Sequence, residues 1–294
     1  MTAMSNSDRD TSPIEEFYPA LTKQGLTSTT ILLFQRIIRE NYSKRGRILP
    51  WRQTDNPYHI LVSEIMLQQT PVSRVLKKYD EFITAFPDFT SLATAPLQSV
   101  LTKWQGLGYN RRAIALKQIA QEVLSDYGGE LPSCPKTLQK LPGIGHYSAS
   151  AISALAFNQP TIFIETNIRA VYIYFFFINK NVITDREIRP IVDATLDRDN
   201  PREWYYALFD YGAMLKKEEK LTERSAHYQQ QAAFKGSNRE LRGQILRLLL
   251  EHSPISLSEL VDELEGNSMQ VKNNLSALQK EGFLILKADT ISIA

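Results

Sequence analysis

Two glycines and a distant acid are the residues of this sequence that point most directly to chemistry. The sequence LPGIG at residues 141–145 lies between two short helical patterns, and Glu165 stands in an apolar run twenty residues after Gly145. Pro142 ends the preceding helix, while Gly143 and Gly145 permit positive φ angles and leave backbone N–H groups uncovered. Because N–H groups at the start of a helix bind phosphate, the pattern favours a hairpin that grips a DNA backbone and a carboxylate that acts on a sugar. An ordinary glycine turn between two helices is the alternative.

A second acid, Glu64, lies in the helical pattern that begins near Pro57. At about 100° per residue it falls between Ile60 and Leu61 one turn back and Leu67 one turn on, so its neighbours are apolar. The sequence therefore predicts a buried carboxyl, and burial without a cationic partner raises the pKa of such a group. A raised pKa suits a general acid that works near neutral pH. The alternative is a solvated glutamate near the helix N-terminus.

The elements that must position these residues are helices, because apolar residues recur at helical spacing and Pro, Gly, Asn or Asp fills the breaks. Helices are predicted over residues 31–42, 58–69, 72–86, 97–104, 111–127, 135–139, 147–157, 168–177 and 186–196. The chain is therefore predicted to be all-α up to about residue 230. From Arg239 onward the pattern predicts three shorter helices and two strands, at residues 242–252, 257–264, 270–281, 283–285 and 290–293. This order is that of a winged helix, whose residues 270–279 either enter a DNA groove or contact protein.

Composition bounds the class of protein. The 294 residues, 43% hydrophobic and 22% charged, suffice for one large or two medium cores. A net charge of +2 is only mildly basic, so nucleic-acid binding has to be argued from local charge. Residues 216–242 carry seven basic and four acidic side chains. This stretch is either a surface for DNA or a solvated helix face of mixed charge.

The sequence contains no pattern typical of a targeting signal or of a set of metal ligands. Residues 1–28 are rich in Ser, Thr and Asp, which is not the pattern of a secretory signal, and no apolar run reaches the length of a membrane span. We therefore expect a soluble protein in the cytoplasm, or otherwise inside the cell with DNA, and no contact with a membrane. Cys134 is the only cysteine, which excludes an internal disulfide and a four-cysteine metal or iron-sulfur site within this chain. The four histidines are scattered and do not have the spacing of zinc ligands, so no metal is predicted.

Five motifs in order carry a family resemblance: residues 49–52 (LPWR), 63–70 (SEIMLQQT), 104–109 (WQGLGY), 141–152 (LPGIGHYSASAI) and 165–167 (ETN). Together they resemble the adenine DNA glycosylase (MutY) branch of the helix-hairpin-helix (HhH-GPD, endonuclease III) superfamily over roughly residues 30–215. The resemblance implies a two-lobed, all-α glycosylase fold, and the winged-helix-like module predicted above follows it at the C-terminus. Its implied partner is double-stranded DNA with one base flipped out, bound by a monomer.

The predicted domains combine the resemblance with the composition of the N-terminus and the helix and strand pattern of the C-terminus. Residues 1–28 form a disordered or extended N-terminal segment, and residues 29–230 form the glycosylase domain. Within it, a barrel lobe with the hairpin covers about 57–167, and the second lobe combines 29–56 with 168–230. The winged-helix-like domain covers 239–294.

The resemblance also implies catalytic roles. Glu64 matches the acid that protonates the ring nitrogen of the base, and Glu165 falls where the family has an aspartate that stabilises the positively charged sugar. Tyr147 stands where the adenine branch has a tyrosine and where bifunctional relatives have a lysine. Without an amine there, no Schiff base forms, so the resemblance implies a monofunctional enzyme without lyase activity.

Contacts with DNA are implied at seven further positions. Gln69 matches the residue that wedges into the gap left by the flipped base, although residues 68–70 are equally consistent with a hydrated last helical turn. The remaining matches are Thr70 and Leu107 for the opposite base, Arg52 for the adenine pocket, Gly143 and Gly145 for phosphate, and Asn167 for the DNA-binding surface. A monovalent cation is implied on carbonyls near the hairpin; no other cofactor is expected.

Three departures from the family pattern affect the prediction. Glu165 is one methylene longer than the family aspartate, and an error near 1 Å in a catalytic group costs about 10²-fold in rate. The cluster cysteines are missing after Met214, so packing or basic side chains must order residues 215–231 instead. The last 60 or so residues resemble a winged helix rather than the family's nudix-like domain, so recognition of 8-oxoguanine is not implied.

Three functions stay open at this point. The first is a glycosylase that removes a mispaired or damaged base, with adenine favoured by Glu64 and Tyr147 together. The second is a glycosylase for another mispaired or modified base, with the pocket rebuilt around Glu165. The third is a DNA-binding protein that retains the scaffold with weak catalysis.

Overall fold

The computed structural model describes residues 13–218, 221–227, 233–264, 268–287 and 289–294. The chain divides into two compact units. The first consists of Met1–Arg47 and Asn158–Gln229, and the second of Ile48–Phe157 and Gln230–Ala294. None of the helices in the described part has both the length and the apolar character that a membrane crossing requires.

The described residues form fifteen α-helices and three short strands, numbered here in chain order. The first nine helices are α1 (Pro13–Gln24), α2 (Ser28–Arg45), α3 (Pro57–Leu67), α4 (Val72–Ala85), α5 (Phe89–Thr94), α6 (Leu97–Trp104), α7 (Arg111–Asp126), α8 (Pro135–Leu138) and α9 (His146–Phe157). The next three are α10 (Thr166–Phe176), α11 (Asp185–Thr195) and α12 (Pro201–Glu218). The C-terminal elements are α13 (Asn238–Glu251), β1 (Ile255–Ser256), α14 (Leu257–Glu263), α15 (Ser268–Lys280), β2 (Leu284–Lys287) and β3 (Thr290–Ile293).

The all-α prediction is confirmed for the described residues before the C-terminal module. The prediction was wrong for residues 13–24, which form α1 rather than a disordered or extended segment; residues 1–12 lie outside the described residues. Phe17 explains the helix, because it is completely buried and packs edge to face on Phe175 at 5.3 Å. Two further helices, α5 and α12, were also not predicted.

The core of the first unit is built from aromatic side chains. Phe34 of α2 contacts Tyr172 and Phe175 of α10 at centroid distances of 5.6 and 5.1 Å. Its ring also meets Trp204 of α12 edge to face at 5.8 Å. All four of these side chains are fully buried or nearly so. Aromatic pairs of this geometry add about 0.5–1.5 kcal/mol each beyond the buried area, so this cluster fixes α10 against α2 and α12.

The boundaries between the units lie about ten residues earlier than the predicted lobe boundaries at 56/57 and 167/168. Arg47 belongs to the first unit because its backbone N and its Nε donate to the Asp210 carboxylate, both at 2.7 Å. Trp51 belongs to the second unit because it is buried against Tyr79, with ring centroids 5.2 Å apart. At the later boundary, the Asn158 side chain accepts from the backbone N of Arg202 at 3.0 Å and so joins the first unit.

The C-terminal module has the element order of a winged helix. Its helices α13, α14 and α15 accompany a three-stranded antiparallel sheet in the order β1-β3-β2. The pairs Ile255–Ile291 and Leu286–Ile291 set the register of the central strand. The sequence predicted the three helices and the β2–β3 hairpin, while β1 was missed because it has only two residues. The module lies within the second compact unit rather than forming a unit of its own.

Candidate functional site

Glu64 lies in the middle of α3, the helix whose start is defined by Asn56 and Pro57. The Asn56 side chain accepts a hydrogen bond from the backbone N of Tyr58 at 2.9 Å, and Pro57 occupies the first helical turn, which is the expected start signal. Seven of the eleven residues of α3 are buried, including Ser63 and Ile65 on either side of the acid. Glu64 itself is half-buried, so the prediction of a buried carboxyl was too strong. Helical periodicity identified an apolar neighbourhood but not the partial exposure of the side chain.

The glycine hairpin is present between α8 and α9. Leu141 and Ile144 are buried and anchor it, whereas both glycines are exposed. Gly143 has a φ of +71°, and a Cβ there would lie 3.0 Å from the Cβ of Ala115. Gly145 has open space at the Cβ position, and its carbonyl accepts the first helical bond of α9, from the N of Ala149 at 2.9 Å. The first N–H groups of any helix lack a partner inside it, so this end of α9 is suited to a phosphate.

Tyr147 lies on the first turn of α9 and is exposed. The next residue, Ser148, accepts a hydrogen bond from Gln68 Nε2 at 3.1 Å. This bond joins the C-terminal end of α3, one turn beyond Glu64, to the turn that carries Tyr147. The structure thus brings together the neighbourhoods of two of the three predicted catalytic residues.

The residues predicted to fill the gap left by the flipped base and to contact the opposite base differ in solvent exposure. Gln69 is exposed, with a φ of +56° that lifts it out of the helical path. Thr70 and Leu107 are buried, which differs from the expectation that they touch the opposite base directly. The hydroxyl of Thr70 donates to the carbonyl of Leu107 at 3.2 Å, so the pair joins two loops. Tyr109, two residues further on, is 40% exposed and offers the large side chain at this surface.

Arg112 of α7 organises both loops, and sequence reasoning missed it. The side chain is buried, and its Nη1 donates to the carbonyls of Ile65, Met66 and Gln68 at 2.9, 2.7 and 2.5 Å. Its Nη2 donates to the Thr70 hydroxyl at 2.9 Å and to carbonyls of the second loop, at residues 107 and 108. Arg112 therefore satisfies the last carbonyls of α3, which a helix leaves without partners.

Burial lowers the pKa of Arg112 to about 10, and the guanidinium remains protonated at neutral pH. Its hydrogen bonds to the described residues go to carbonyl groups and to one hydroxyl, so dipoles rather than an acid surround the charge. The guanidinium also lies 5.3 Å from the Trp104 ring, within cation–π range. The available signal was the position of Arg112 next to the apolar positions Ala113 and Leu116, because a cation on the buried face of a helix requires several acceptors.

Arg52 lies in a short 3₁₀ turn, Pro50–Arg52, and is half-buried. Its backbone N donates to the carbonyl of Leu49 at 2.9 Å, and the buried Trp51 fixes the turn. Arg52 belongs to the same unit as Glu64 and Tyr147. Its predicted role beside the base pocket stays a prediction.

Glu165 belongs to the first unit, where it is the N-cap of α10. Its Oε1 accepts hydrogen bonds from the backbone N of Asn167 at 2.7 Å and of Ile168 at 2.8 Å. Its Oε2 accepts from Thr166 Oγ1 at 3.0 Å and from Asn167 Nδ2 at 3.2 Å. Helix caps are usually Asp, Asn, Ser or Thr, because a short side chain reaches the second and third N–H groups. Here the longer acid reaches the same groups, and four hydrogen bonds fix both of its oxygens.

Asn167 is held from its other side by α12. Its Oδ1 accepts from Lys216 Nζ at 3.2 Å, and the same ammonium lies 3.4 Å from Thr166 Oγ1. Gly212 permits this approach, because a Cβ there would lie 2.2 Å from the carbonyl oxygen of Asn167. The first turn of α10 is therefore packed directly on the backbone of α12. Sequence reasoning named Asn167 but gave Gly212 and Lys216 no role of their own.

Part of the basic stretch 216–242 lies outside the described residues, namely 219–220 and 228–232. The same holds for part of the segment 215–231, where the resemblance implied cluster cysteines. In the described part, Arg224 donates to the carbonyls of Ile178 and Lys180 at 3.1 and 2.7 Å. This basic residue therefore holds the end of α10 and the loop after it.

Comparison with known proteins shows that the chain is similar to DNA glycosylases. The family model described as "HhH-GPD superfamily base excision DNA repair protein" matches residues 62–194. An adenine DNA glycosylase of Buchnera aphidicola is 35% identical over 191 residues, which cover 64% of this chain and 54% of that protein. A thymine/uracil-DNA glycosylase of Methanothermobacter thermautotrophicus is 29% identical over 196 residues, covering 66% of this chain and 86% of that protein.

Among solved structures, that of a thermostable thymine-DNA glycosylase aligns with a TM-score of 0.57 and 27% identity. The alignment covers 66% of this chain and 88% of that one. The chain spans about half the length of the adenine DNA glycosylases that it matches. The fold is the all-α glycosylase fold predicted from the motifs, and residues 62–194 match the family model of the HhH-GPD superfamily of base excision DNA repair proteins.

Proposed function

We propose that this protein is a monofunctional DNA glycosylase that hydrolyses the N-glycosidic bond of a mispaired or damaged base, with adenine as the first candidate. The observation that carries the proposal is the join between α3 and α9. There Gln68 and Ser148 connect the helix of Glu64 to the turn of Tyr147, inside the segment that matches the superfamily. The identity of 35% with an adenine DNA glycosylase favours adenine among the possible bases.

The chemistry assigned to each residue follows from its charge and its support. Once the base is flipped out of the duplex, Glu64 gives a proton to a ring nitrogen and makes the base a better leaving group. The bond between base and sugar then breaks, the base leaves with the bonding electrons, and positive charge develops on the sugar. The Glu165 carboxylate stabilises that charge, held in one orientation by two backbone N–H groups. Water completes the reaction at the sugar and leaves an abasic site.

Tyr147 supplies a hydroxyl where a strand-cleaving relative needs an amine, so no Schiff base forms and the strand stays intact. Gly143 and Gly145 at the N-terminus of α9 hold a phosphate, and the exposed Gln69 occupies the gap left by the flipped base. The proposed partner is duplex DNA inside the cell, bound by a monomer. The proposed enzyme works without an iron-sulfur cluster, since Cys134 is the single cysteine. The monovalent cation at the hairpin stays a prediction.

A second candidate substrate is a mispaired pyrimidine. The chain covers 86% of the length of a thymine/uracil-DNA glycosylase, against 54% of an adenine DNA glycosylase, although the sequence identity is lower. Glu165, which replaces the aspartate of the family pattern, is the residue at which a site rebuilt for another base would differ. The two candidates share Glu64 and Glu165 and differ in the base that receives the proton.

A single-turnover assay on a panel of duplexes tests the proposal. Each duplex carries adenine opposite guanine or 8-oxoguanine, or thymine or uracil opposite guanine, and alkali reveals abasic sites as strand breaks. We expect alkali-dependent breaks with at least one duplex and no breaks without alkali. Breaks without alkali would contradict the absence of lyase activity. If none of the duplexes breaks, with or without alkali, the proposal of a glycosylase is overturned, and the alternative of a DNA-binding protein on the same scaffold is favoured.

Glu64→Gln is the variant that tests the mechanism. It keeps the shape of the side chain and removes the proton, so we expect at least a 10²-fold loss of the rate constant with little change in affinity for DNA. Glu130→Gln is the matched control, because Glu130 is an exposed acid of the same unit that follows α7. Equal rates for Glu64→Gln and Glu130→Gln would exclude Glu64 as the acid.

A further inference from the structure

One carboxylate of the C-terminal module forms ion pairs both within the module and with the rest of the second unit. Glu281, at the end of α15, accepts two hydrogen bonds from Arg111 of α7, at 2.6 and 2.5 Å. It also accepts two from Arg242 of α13, at 3.1 and 2.5 Å. The Arg111 guanidinium and that of Arg242 hold the pKa of Glu281 at about 2. Paired, bidentate contacts of this kind fix orientation as well as distance, so α15 and α13 are locked onto the start of α7.

The same module reaches the loop that precedes α7. Arg239 of α13 donates from Nη1 to the Tyr109 hydroxyl at 2.9 Å, and its guanidinium lies 5.8 Å from the centre of that ring. The Arg112 guanidinium lies 5.6 Å from the same ring. Tyr109 is therefore in contact with two cations, one from α7 and one from the module. Its backbone needs such support, because its φ of +48° is one that residues other than glycine rarely adopt.

Tyr109 lies in the loop that includes Leu107, the residue predicted for the opposite base. Gly106 and Gly108 are exposed on either side of Leu107, and both have positive φ angles. With Leu107 buried, Tyr109 is the large exposed side chain of this loop. A glycine-rich loop held only from its inner side retains freedom at its exposed end, and binding DNA then costs the free energy of ordering it.

We propose that the C-terminal module is a brace for the loop at residues 106–109, and that Arg239 is the positioning residue that fixes Tyr109 for contact with the strand opposite the target base. The module acts on base discrimination through the protein, by its contact with Tyr109. This proposal rests on the proposed function as far as DNA is concerned. The contact itself is a property of the free protein and is testable without DNA.

The first experiment measures amide hydrogen exchange of residues 104–110 in the free, full-length chain. Arg239→Ala removes the brace, and we expect exchange in this segment to become about threefold to tenfold faster, since a single hydrogen bond contributes about 1 kcal/mol. Arg247→Ala is the matched control, because Arg247 is an exposed arginine on the same helix. Equal exchange in the two variants would overturn the brace, whether or not the protein proves to be a glycosylase.

The second experiment compares duplexes that share one target base and differ in the opposite base. In Arg239→Ala we expect the ratio of affinities for the best and worst opposite base to fall about threefold to tenfold, while the rate constant at saturating enzyme stays within about twofold. Arg239→Lys should recover part of the ratio, because it retains the charge without the planar fork. Tyr109→Phe should reduce the ratio in the wild-type background and have no further effect in Arg239→Ala, because both changes remove the same hydrogen bond.

Arg239→Ala could accelerate hydrogen exchange in residues 104–110 and leave the ratio of affinities for the best and worst opposite base unchanged. That result would overturn the role of the brace in reading the opposite strand. A fall in the rate constant equal to the fall in affinity would show a general loss of structure and would also overturn it. If the wild-type protein removes a base from none of the duplexes, the proposed function is overturned. The hydrogen-exchange experiment still decides whether the module holds the loop.

Discussion

Replacement of Glu165 by aspartate separates two explanations of this unusual acid. If the glutamate simply stands in for the aspartate of the family pattern, Glu165→Asp should preserve or raise the rate of base removal. If the first turn of α10 is arranged around the longer side chain, the same change should lower it. The structure favours the second explanation, because Oε1 and Oε2 each accept two hydrogen bonds in the glutamate position.

The size of the effect follows from the length of the side chain. Removing one methylene draws the carboxylate back by about one carbon–carbon bond, roughly 1.5 Å. Misplacement of a catalytic group by about 1 Å costs about 10²-fold in rate, so we expect a rate constant 10-fold to 10²-fold below that of the wild type. Stability should change by less than about 0.5 kcal/mol, because aspartate is itself a favourable N-cap. Glu165→Ala, by contrast, should lose about 1 kcal/mol as well as the catalytic carboxylate.

The assay is single-turnover cleavage of whichever duplex the wild type processes, with enzyme in excess and urea unfolding of each variant in parallel. The excess of enzyme removes effects of product release and weak binding from the rate constant. Glu165→Gln adds a third comparison, since it preserves length and removes charge. An aspartate variant as fast as the wild type would refute the argument that the hydrogen bonds of Glu165 set its catalytic position. A fully active alanine variant would refute any catalytic role.

Three further predictions concern the frame around the site. Arg112→Leu leaves the carbonyls at the end of α3 without donors, and we expect it to lower the free energy of unfolding by about 3 kcal/mol in urea titrations, a loss well beyond that of an ordinary surface change. Gly143→Ala should lower the free energy of unfolding by about 1–2 kcal/mol, because Gly143 has a positive φ and its Cβ position lies close to Ala115. Gly145→Ala should change the free energy of unfolding by less than about 0.5 kcal/mol and still weaken binding to undamaged duplex. Equal stability of the two variants would contradict the strain at Gly143. The pKa of Glu281 lies below that of an unfolded glutamate, so its ion pairs stabilise the folded protein above about pH 4.3 and lose this effect as the pH falls toward 2. The difference in melting temperature between wild type and Glu281→Gln should therefore become smaller between about pH 4.3 and about pH 2. A difference that stays constant would contradict the ion pairs.

Periodicity predicted the helices of this protein well where one face is apolar and the ends carry clear signals. Helix α3 is an example, since Asn56 and Pro57 mark its start and the pattern predicted a helix over 58–69. Helix α1 was missed because its short sequence holds one fully buried aromatic residue, Phe17, and two of its partners, Phe175 and Phe176, lie far away in the chain. A contact of that kind is not visible in local sequence.

The candidate site shows the same division between local and distant information. The hairpin glycines were predicted from local backbone chemistry, and the structure places both at the start of α9. The half-buried state of Glu64 was not predicted, because it depends on which elements pack around α3. Arg112 was missed for a related reason: its acceptors belong to the end of α3 with the turn after it and to the loop before α7, and a list of arginines does not reveal which one meets them.

The segment after Met214, where the resemblance implies cluster cysteines, links these observations to Glu165. Lys216 follows Leu215 at the start of that segment, and its ammonium contacts both Thr166 and Asn167. These two residues donate the side-chain hydrogen bonds to Glu165 Oε2. A residue of the substituted segment is thus one contact away from the proposed catalytic carboxylate, and the close packing of Gly212 on Asn167 fixes the distance. One lysine of this segment therefore contacts both residues whose side chains hold the longer acid at Oε2.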